Sequence, residues 1–372
     1  MKKILIRLSA WKYKWILKPI FFRFDPEKIH NFILNVGEFL GKIAPLRGII
    51  GALWRVRSPA LEQNVAGIYF PNPVGLAAGF DYKAKLTQIL PNVGFGFETI
   101  GTITNEPYEG NPGLRLGRLK KSRSLLVNKG FKNDGVRAII SNLENYRFRI
   151  PTGISIGVTN KDWASAPEAI ADIVSTFRIV ESFHVPFAYY ELNISCPNLK
   201  SPVSFYPLEN LRELLDAVCG LALTRALFIK MPISEPDEEI KKMLAVTAHF
   251  PVAGVIFGNL QNDRGHSDLN PDEVALHGKG NFSGKPTEKR SNELIRLAYK
   301  HHGKKLIIIG CGGAFSAEDV YKKIKNGATL VQLITGLIYE GPQLPAQINL
   351  GLLELLKKDG FKYISEAIGE EA

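Results

Sequence analysis

The stretch Asn193-Ile194-Ser195-Cys196-Pro197-Asn198 sets a thiol between two carboxamides, directly after the apolar, strand-like run of residues 188–192. Asparagine side chains both donate and accept, so a pair of them can read a planar polar ring. A cysteine that exchanges its proton can act as acid or base. That combination points to chemistry on a small cyclic substrate. A second polar group, Lys230, ends the otherwise apolar run Ala226-Leu227-Phe228-Ile229. Its ammonium is expected to enter the same pocket, where burial without an anionic partner is costly, the alternative being a lysine that snorkels to solvent.

A repeated theme positions these groups. From about residue 70 the chain alternates a short apolar strand, a turn rich in Gly, Asn or Ser, and a longer amphipathic stretch. Eight strands are predicted, over residues 73–79, 95–103, 152–158, 188–195, 226–232, 254–259, 306–312 and 330–336. Helices are predicted over 167–183, 208–223, 236–248, 289–301, 317–326 and 343–358. Eight alternating units make an α/β fold, a (β/α)8 TIM barrel, whose working residues lie at the C-terminal ends of the strands. Those ends carry Ala78-Gly79, Gly101-Thr102, Ser155, Asn193, Lys230, Asn259, Gly312-Gly313 and Thr335-Gly336, one ring around one pocket. The small residues after strands 7 and 8 permit a phosphate to approach backbone amides, although each glycine alone reads equally well as a tight turn. A phosphate-bearing flavin would also give Lys230 its anionic partner.

Composition bounds the rest. The chain has 372 residues, 45% of them hydrophobic, enough for one large core. Its three cysteines, Cys196, Cys219 and Cys311, lie far apart with no CxxC pair, so neither a disulfide framework nor a metal site is expected. Of the net charge of +11, seven positive charges and no acid fall within residues 1–24, leaving +4 for the remaining 348. Ile4, Leu8, Trp11 and Trp15 share one helical face there, and Pro19 is expected to interrupt the pattern. A second amphipathic helix opens at Asp25-Pro26. This mixture suits an anionic membrane surface better than nucleic acid, and it is too short and too charged for a span or a signal-peptide core. The plainer reading is that the helices pad the outside of the main domain. Two regions follow: a helical segment over 1–60 and a barrel over 61–372.

The motifs together resemble dihydroorotate dehydrogenase, and within it the membrane-associated, quinone-dependent class. They are the Asp25-Pro26-Glu27-x-x-His30 opening, Gly75-Leu76-Ala77-Ala78-Gly79-Phe80-Asp81, Gly94-Phe95-Gly96, Ile100-Gly101-Thr102, residues 193–198, Ser283-Gly284-Lys285-Pro286, residues 310–313, and Gly327-Ala328 through Val331-Gln332. The resemblance implies an FMN barrel that oxidises dihydroorotate to orotate in pyrimidine synthesis and passes the electrons to a membrane quinone through an N-terminal helical hood. It implies FMN contacts at Ala78, Gly79, Thr102, Ser155, Asn193, Lys230, Gly258, Gly284, Gly313 and Thr335. Substrate contacts would be Asn128, Asn193, Asn198 and Asn259, with Cys196 as the base that removes the C5 proton. Arg115 and Arg118 match arginines near the quinone entrance. A peripheral place on the cytoplasmic face of the cell membrane follows, with no nucleic acid and no obligate protein partner.

The chain also departs from the family pattern. The quinone-dependent class ordinarily has serine as base; cysteine belongs to the soluble class, which lacks the N-terminal extension. A thiol titrates near 8.5, so a rate that falls in mild acid is expected. Tyr82 stands where lysine usually follows the aspartate, so either Lys83 replaces that lysine or the contact is lost. The segments Asn128-Lys129-Gly130, Gly157 to Lys161, and Asn259-Leu260 also differ from the usual patterns. Two rival readings are a soluble-type enzyme that uses fumarate or another acceptor, and a flavin-binding membrane scaffold without turnover. Residues 261–283 are expected to form a loop at the pocket mouth.

Overall fold

The computed structural model describes residues 2–144 and 146–372. Eight parallel strands close a barrel: β1 (Val74–Leu76), β2 (Phe97–Ile103), β3 (Thr152–Ile156), β4 (Tyr189–Asn193), β5 (Ala226–Met231), β6 (Gly254–Phe257), β7 (Ile307–Cys311) and β8 (Leu330–Leu333). Each pairs with its sequence neighbours, and β8 closes on β1. Several ladders stop before the predicted strand ends. Residues 77–79, for example, leave the sheet as a loop, and 334–336 turn into a short helix, Thr335–Glu340; both help to build the site. The outer helices fall close to their expected places, at Ala166–Ser182, Leu208–Cys219, Asp237–Thr247, Glu288–His302, Ala317–Lys325 and Leu344–Asp359. Leu211, Leu214, Leu215 and Val218 show the logic: helical spacing puts all four on the face buried against the barrel.

The period of two along β4 organises the barrel interior. Tyr189, Glu191 and Asn193 rise through successive layers from the bottom of the barrel to the site. Tyr189 belongs to an apolar plug with Phe97, Phe228, Ile256, Ile309 and Leu330, covered by Val65 and Phe70 of a hairpin formed by Gln63–Val65 and Ile68–Phe70. Two strands of three residues are too short to announce themselves by periodicity, and the hairpin was not foreseen. It fills the lower end of the barrel.

Among the described residues, four α-helices precede the barrel: α1 (Lys2–Lys12), α2 (Lys18–Phe21), α3 (Pro26–Lys42) and α4 (Ala44–Trp54). Pro19 does not interrupt the first. A π-helical turn over Tyr13–Leu17 joins α1 to α2, and its wider register accommodates a residue that lacks an N–H and crowds the preceding turn. α4 was missed because Gly48 and Gly51 weaken the pattern; at Gly51 the missing side chain lets the Asn92 amide approach. Only part of α1 packs on the barrel, and the face that carries Ile4, Leu8 and Trp11 is turned outward. Ile6 is buried against Val56 and Ala346, whereas Ile4 (68% exposed), Trp11 (54%) and Trp15 (63%) face outward. Phe32 and Phe39 of α3 and Ile49 of α4 are exposed as well. No helix among the described residues is long and apolar enough to cross a membrane.

Residues 261–283 are more than a loop. They contain a helical turn, Pro271–Ala275, and run into a strand, Asn281–Gly284, that pairs with Ser124–Val127; the latter also pairs with Leu116–Leu119. This three-stranded antiparallel sheet walls the mouth of the barrel on the side of the N-terminal helices.

Candidate active site

A line of polar side chains crosses four adjacent strands at the top of the barrel. The Asn193 amide donates to Thr102 Oγ1 (2.9 Å), Thr102 and Ser155 share a hydrogen bond (2.9 Å), and Ser155 donates to Glu191 Oε1 (2.8 Å). Lys230 Nζ lies 3.6 Å from the same carboxylate oxygen, and both groups are buried. The anionic partner expected of a cofactor is thus supplied by the protein. Burial pulls the Lys230 ammonium towards its neutral form, but the charge and hydrogen bond of Glu191, with smaller contributions from Cys311 and Cys196, together outweigh it and the pKa lies above the ordinary lysine value. Glu191 was overlooked because it sits inside a run read as uniformly apolar. Ser155 stands behind the cavity wall, reaching it through Thr102.

Cys196 lies just past β4. Asn193 Oδ1 accepts from the backbone N–H of Ser195 (3.2 Å) and from its hydroxyl (3.1 Å), while the Asn259 amide donates to Ser195 Oγ (2.6 Å). Ser195 therefore serves as the brace that fixes this turn. Burial pushes the Cys196 thiol up to about 11, against smaller pulls from an Asn198 backbone hydrogen bond and the Lys230 charge. The value near 8.5 expected of a free thiol does not hold here, because the low-polarity wall penalises the thiolate. Cys311 also faces the cavity, and burial raises its pKa too; Cys219 lies on an outer helix.

One cavity of about 540 Å³ joins Cys196, Asn193, Asn198, Asn259 and Lys230 to the inner faces of α2, α3 and α4. Ala78, Gly79, Thr102, Gly258, Gly284, Gly313 and Thr335 line it as well. Ser283 and Thr335 share a hydrogen bond of 2.8 Å at its far wall. Gly258 is required by the fold itself: it has a φ of +133°, and a Cβ there would overlap the Cys311 carbonyl oxygen. Gly258→Ala is accordingly expected to lower the melting temperature sharply, as read by thermal unfolding. Asn128 does not line the cavity. Its side chain turns back to accept from Asn111 (2.8 Å), and the alternation of an extended segment brings Val127 and Lys129 forward instead.

The N-terminal motif works as a clamp. Asp25 caps α3 by accepting from Lys28 N–H (2.9 Å), Glu27 pairs with Arg115 (2.9 Å) and Lys132 (3.1 Å), and His30 Nε2 meets the Phe80 carbonyl (2.7 Å). Burial, with the Lys129 charge, lowers the His30 pKa to about 4, so the ring is neutral at pH 7 and donates through that nitrogen. Arg115 is committed to the clamp, whereas Arg118 lines the cavity and lies over the Phe22 ring, 4.7 Å from its centroid. Asp81 accepts from the backbone of Lys83 (3.3 Å), Lys85 (3.0 Å) and Leu86 (2.6 Å), folding the loop so that Tyr82 points inward. Lys83 turns out to pair with Asp134 on the surface, so it does not replace the missing lysine.

A family model described as dihydroorotate dehydrogenase matches residues 60–356. The dihydroorotate dehydrogenase (quinone) of Christiangramia forsetii is 36% identical, over 92% of this chain and 99% of its own. That of Mycolicibacterium smegmatis is 33% identical, over 95% and 98%. Among solved structures, the ligand-free DHODH of Eimeria tenella superimposes with a TM-score of 0.81 at 28% identity, covering 93% of this chain and 99% of that one.

Proposed function

The chain belongs to the dihydroorotate dehydrogenase family, in its quinone-dependent class, and from that premise we propose that it oxidises (S)-dihydroorotate to orotate for pyrimidine synthesis with Cys196 as base. The cavity that runs from Cys196 to the N-terminal helices carries this reading, because a dehydrogenase with a lipid-soluble acceptor needs both ends in one space. Asn193, Asn198 and Asn259 surround the thiol with amide donors and acceptors suited to a ring of alternating N–H and C=O groups. Asn128 would act indirectly, through Asn111 and the backbone of Asn198.

The residues present fit FMN. Gly284, Gly312 and Gly313 have φ values of +85°, +99° and +70°, conformations that bare their backbone beside the Ser283 and Thr335 hydroxyls, a donor set suited to a phosphate. Ala78, Gly79 and Thr102 would hold the ring system with Asn193 and Gly258, and Lys230, fixed by Glu191, would face its polar edge. When bound, FMN would supply the acceptor for the hydride leaving C6 and the route by which the electrons reach the quinone. Cys196 Sγ takes the C5 proton, and Asn193, Asn198 and Asn259 hold the ring so that this proton faces the sulfur.

Residues 1–60 would form a hood docked peripherally on the cytoplasmic face of the cell membrane, with Arg118 at the quinone entrance and Arg115 anchoring α3. The exposed apolar residues of α1, α3 and α4, beside seven cations, support this reading. Trp11→Glu with Trp15→Glu is expected to abolish sedimentation with anionic vesicles and leave flavin bleaching by dihydroorotate unchanged; undiminished vesicle binding would count against the docking face. To identify the acceptor, the purified protein is assayed with dihydroorotate and either a ubiquinone analogue or fumarate. The quinone should support turnover; turnover with fumarate alone would favour the soluble-type enzyme.

A further inference from the structure

Among the described residues, two buried ammonium groups face the cavity, and only one is paired with a carboxylate. Lys230 is matched by Glu191. Lys129, with 9% of its surface exposed, donates to the Tyr82 phenol, lies 4.8 Å from the centroid of that ring, and pairs with no carboxylate among the described residues. The groups around it compensate only in part. Glu27 on α3 is engaged by Arg115 and Lys132, His30 on the same helix is neutral, and Tyr82 is a phenol that burial keeps protonated.

The backbone on both sides of Lys129 is pinned to the loop that follows β4. Val127 O accepts from the Asn198 amide (3.1 Å), and Gly130 O accepts from Asn160 (3.0 Å), whose own Oδ1 accepts from Lys200 N–H (2.7 Å). Lys129 is thereby held on the Cys196–Asn198 side of the cavity, away from the glycines and hydroxyls of the far wall.

We infer that Lys129 is the cation that receives the substrate's carboxylate, reaching from the segment that follows the strand Ser124–Val127 into the place beside Tyr82. The inference rests on the reaction proposed above and adds a specificity-determining residue to it. A buried cation whose own protein leaves it without an anion is costly to fold, and a monoanionic substrate that enters beside it restores the balance. Tyr82 contributes by accepting from the ammonium at its hydroxyl when the anion is absent. The same burial, partly offset by Glu27 and reinforced by Arg115, lowers the Lys129 pKa to about 8. Lys129 is charged below that value, so substrate affinity is present at neutral pH and declines as the pH rises through about 8.

The test uses the full-length, flavin-loaded protein and orotate as probe, with Lys129→Met, Lys129→Arg and, as control, Lys83→Met. Binding is followed by the change in flavin absorbance. Lys129→Met should weaken orotate roughly 10- to 100-fold and raise the dihydroorotate KM more than it lowers kcat. Lys129→Arg should retain most of the affinity and lose the decline between about pH 7 and about pH 9. Lys83→Met should bind as wild type does. Without orotate, the melting temperature of Lys129→Met should match or exceed that of wild type, because an unmatched charge has been removed. A lower melting temperature with unchanged orotate affinity would assign Lys129 a structural role and overturn the inference. Wild-type affinity in Lys129→Met, in a protein whose wild type is bleached by dihydroorotate, overturns it alone. A wild type that neither binds orotate nor bleaches overturns the reaction and the inference together.

Discussion

Cys196→Ala should slow reduction of the bound flavin by dihydroorotate by about 10²- to 10⁴-fold, the usual contribution of a positioned base, and leave flavin content and melting temperature nearly unchanged. Alanine removes the sulfur without disturbing the turn, because Ser195 rather than Cys196 carries the bonds to Asn193 and Asn259. The pH dependence follows from the thiol's surroundings. With its pKa raised to about 11 by burial, the base form is scarce at pH 7, about one part in ten thousand. The saturating reduction rate should therefore climb close to tenfold per pH unit across the neutral range. Stopped-flow measurement checks this, and a rate that is flat from about pH 5 to about pH 9 would falsify the assignment of the base. The slope also separates two groups: the maximal rate rises with pH through Cys196, while the affinity falls through Lys129.

Lys230→Met is expected to cost about 3–5 kcal/mol of stability and to release the flavin, because it strands the Glu191 carboxylate in a dry barrel. One Glu191 oxygen accepts from Ser155, the other has no hydrogen-bond partner, and no second cation pairs with it among the described residues. The pair Lys230→Met with Glu191→Gln should recover much of the stability, since the stranded charge is gone, without restoring flavin affinity. Denaturant unfolding gives the stability and absorbance the flavin content. If the single variant were as stable as wild type, Glu191 would not be the partner that keeps Lys230 charged.

Much of the site was legible in the chain because barrel strands end in polar residues where the pocket lies. Asn193, Cys196, Lys230 and the paired glycines stand out against apolar runs, and alternation of strand and helix brings them together. What was missed has a common cause: direction. Glu191 sits among large apolar residues and looks like noise until the period of two shows that it points inward between Tyr189 and Asn193. Asn128 carries the family motif, yet the same alternation turns it back to Asn111 and presents Lys129 to the cavity. The hairpin over residues 63–70 and helix α4 left weak local signals, because short strands and glycine-bearing helices are stabilised by what they pack against. Pro19 marks a break by its chemistry, and the π turn before it absorbs the misfit. Burial changed the electrostatic expectation for Cys196, since exposure cannot be read from a residue's neighbours in sequence.

The central claim is that the cavity at Cys196 removes a proton and a hydride from dihydroorotate. Anaerobic mixing of the flavin-loaded protein with dihydroorotate tests it without any acceptor. Stoichiometric bleaching of the flavin absorbance, with one orotate formed per flavin and loss of the rapid phase in Cys196→Ala, is the expected result. An unbleached flavin in the wild-type protein, or bleaching at an unchanged rate in Cys196→Ala, would contradict the account.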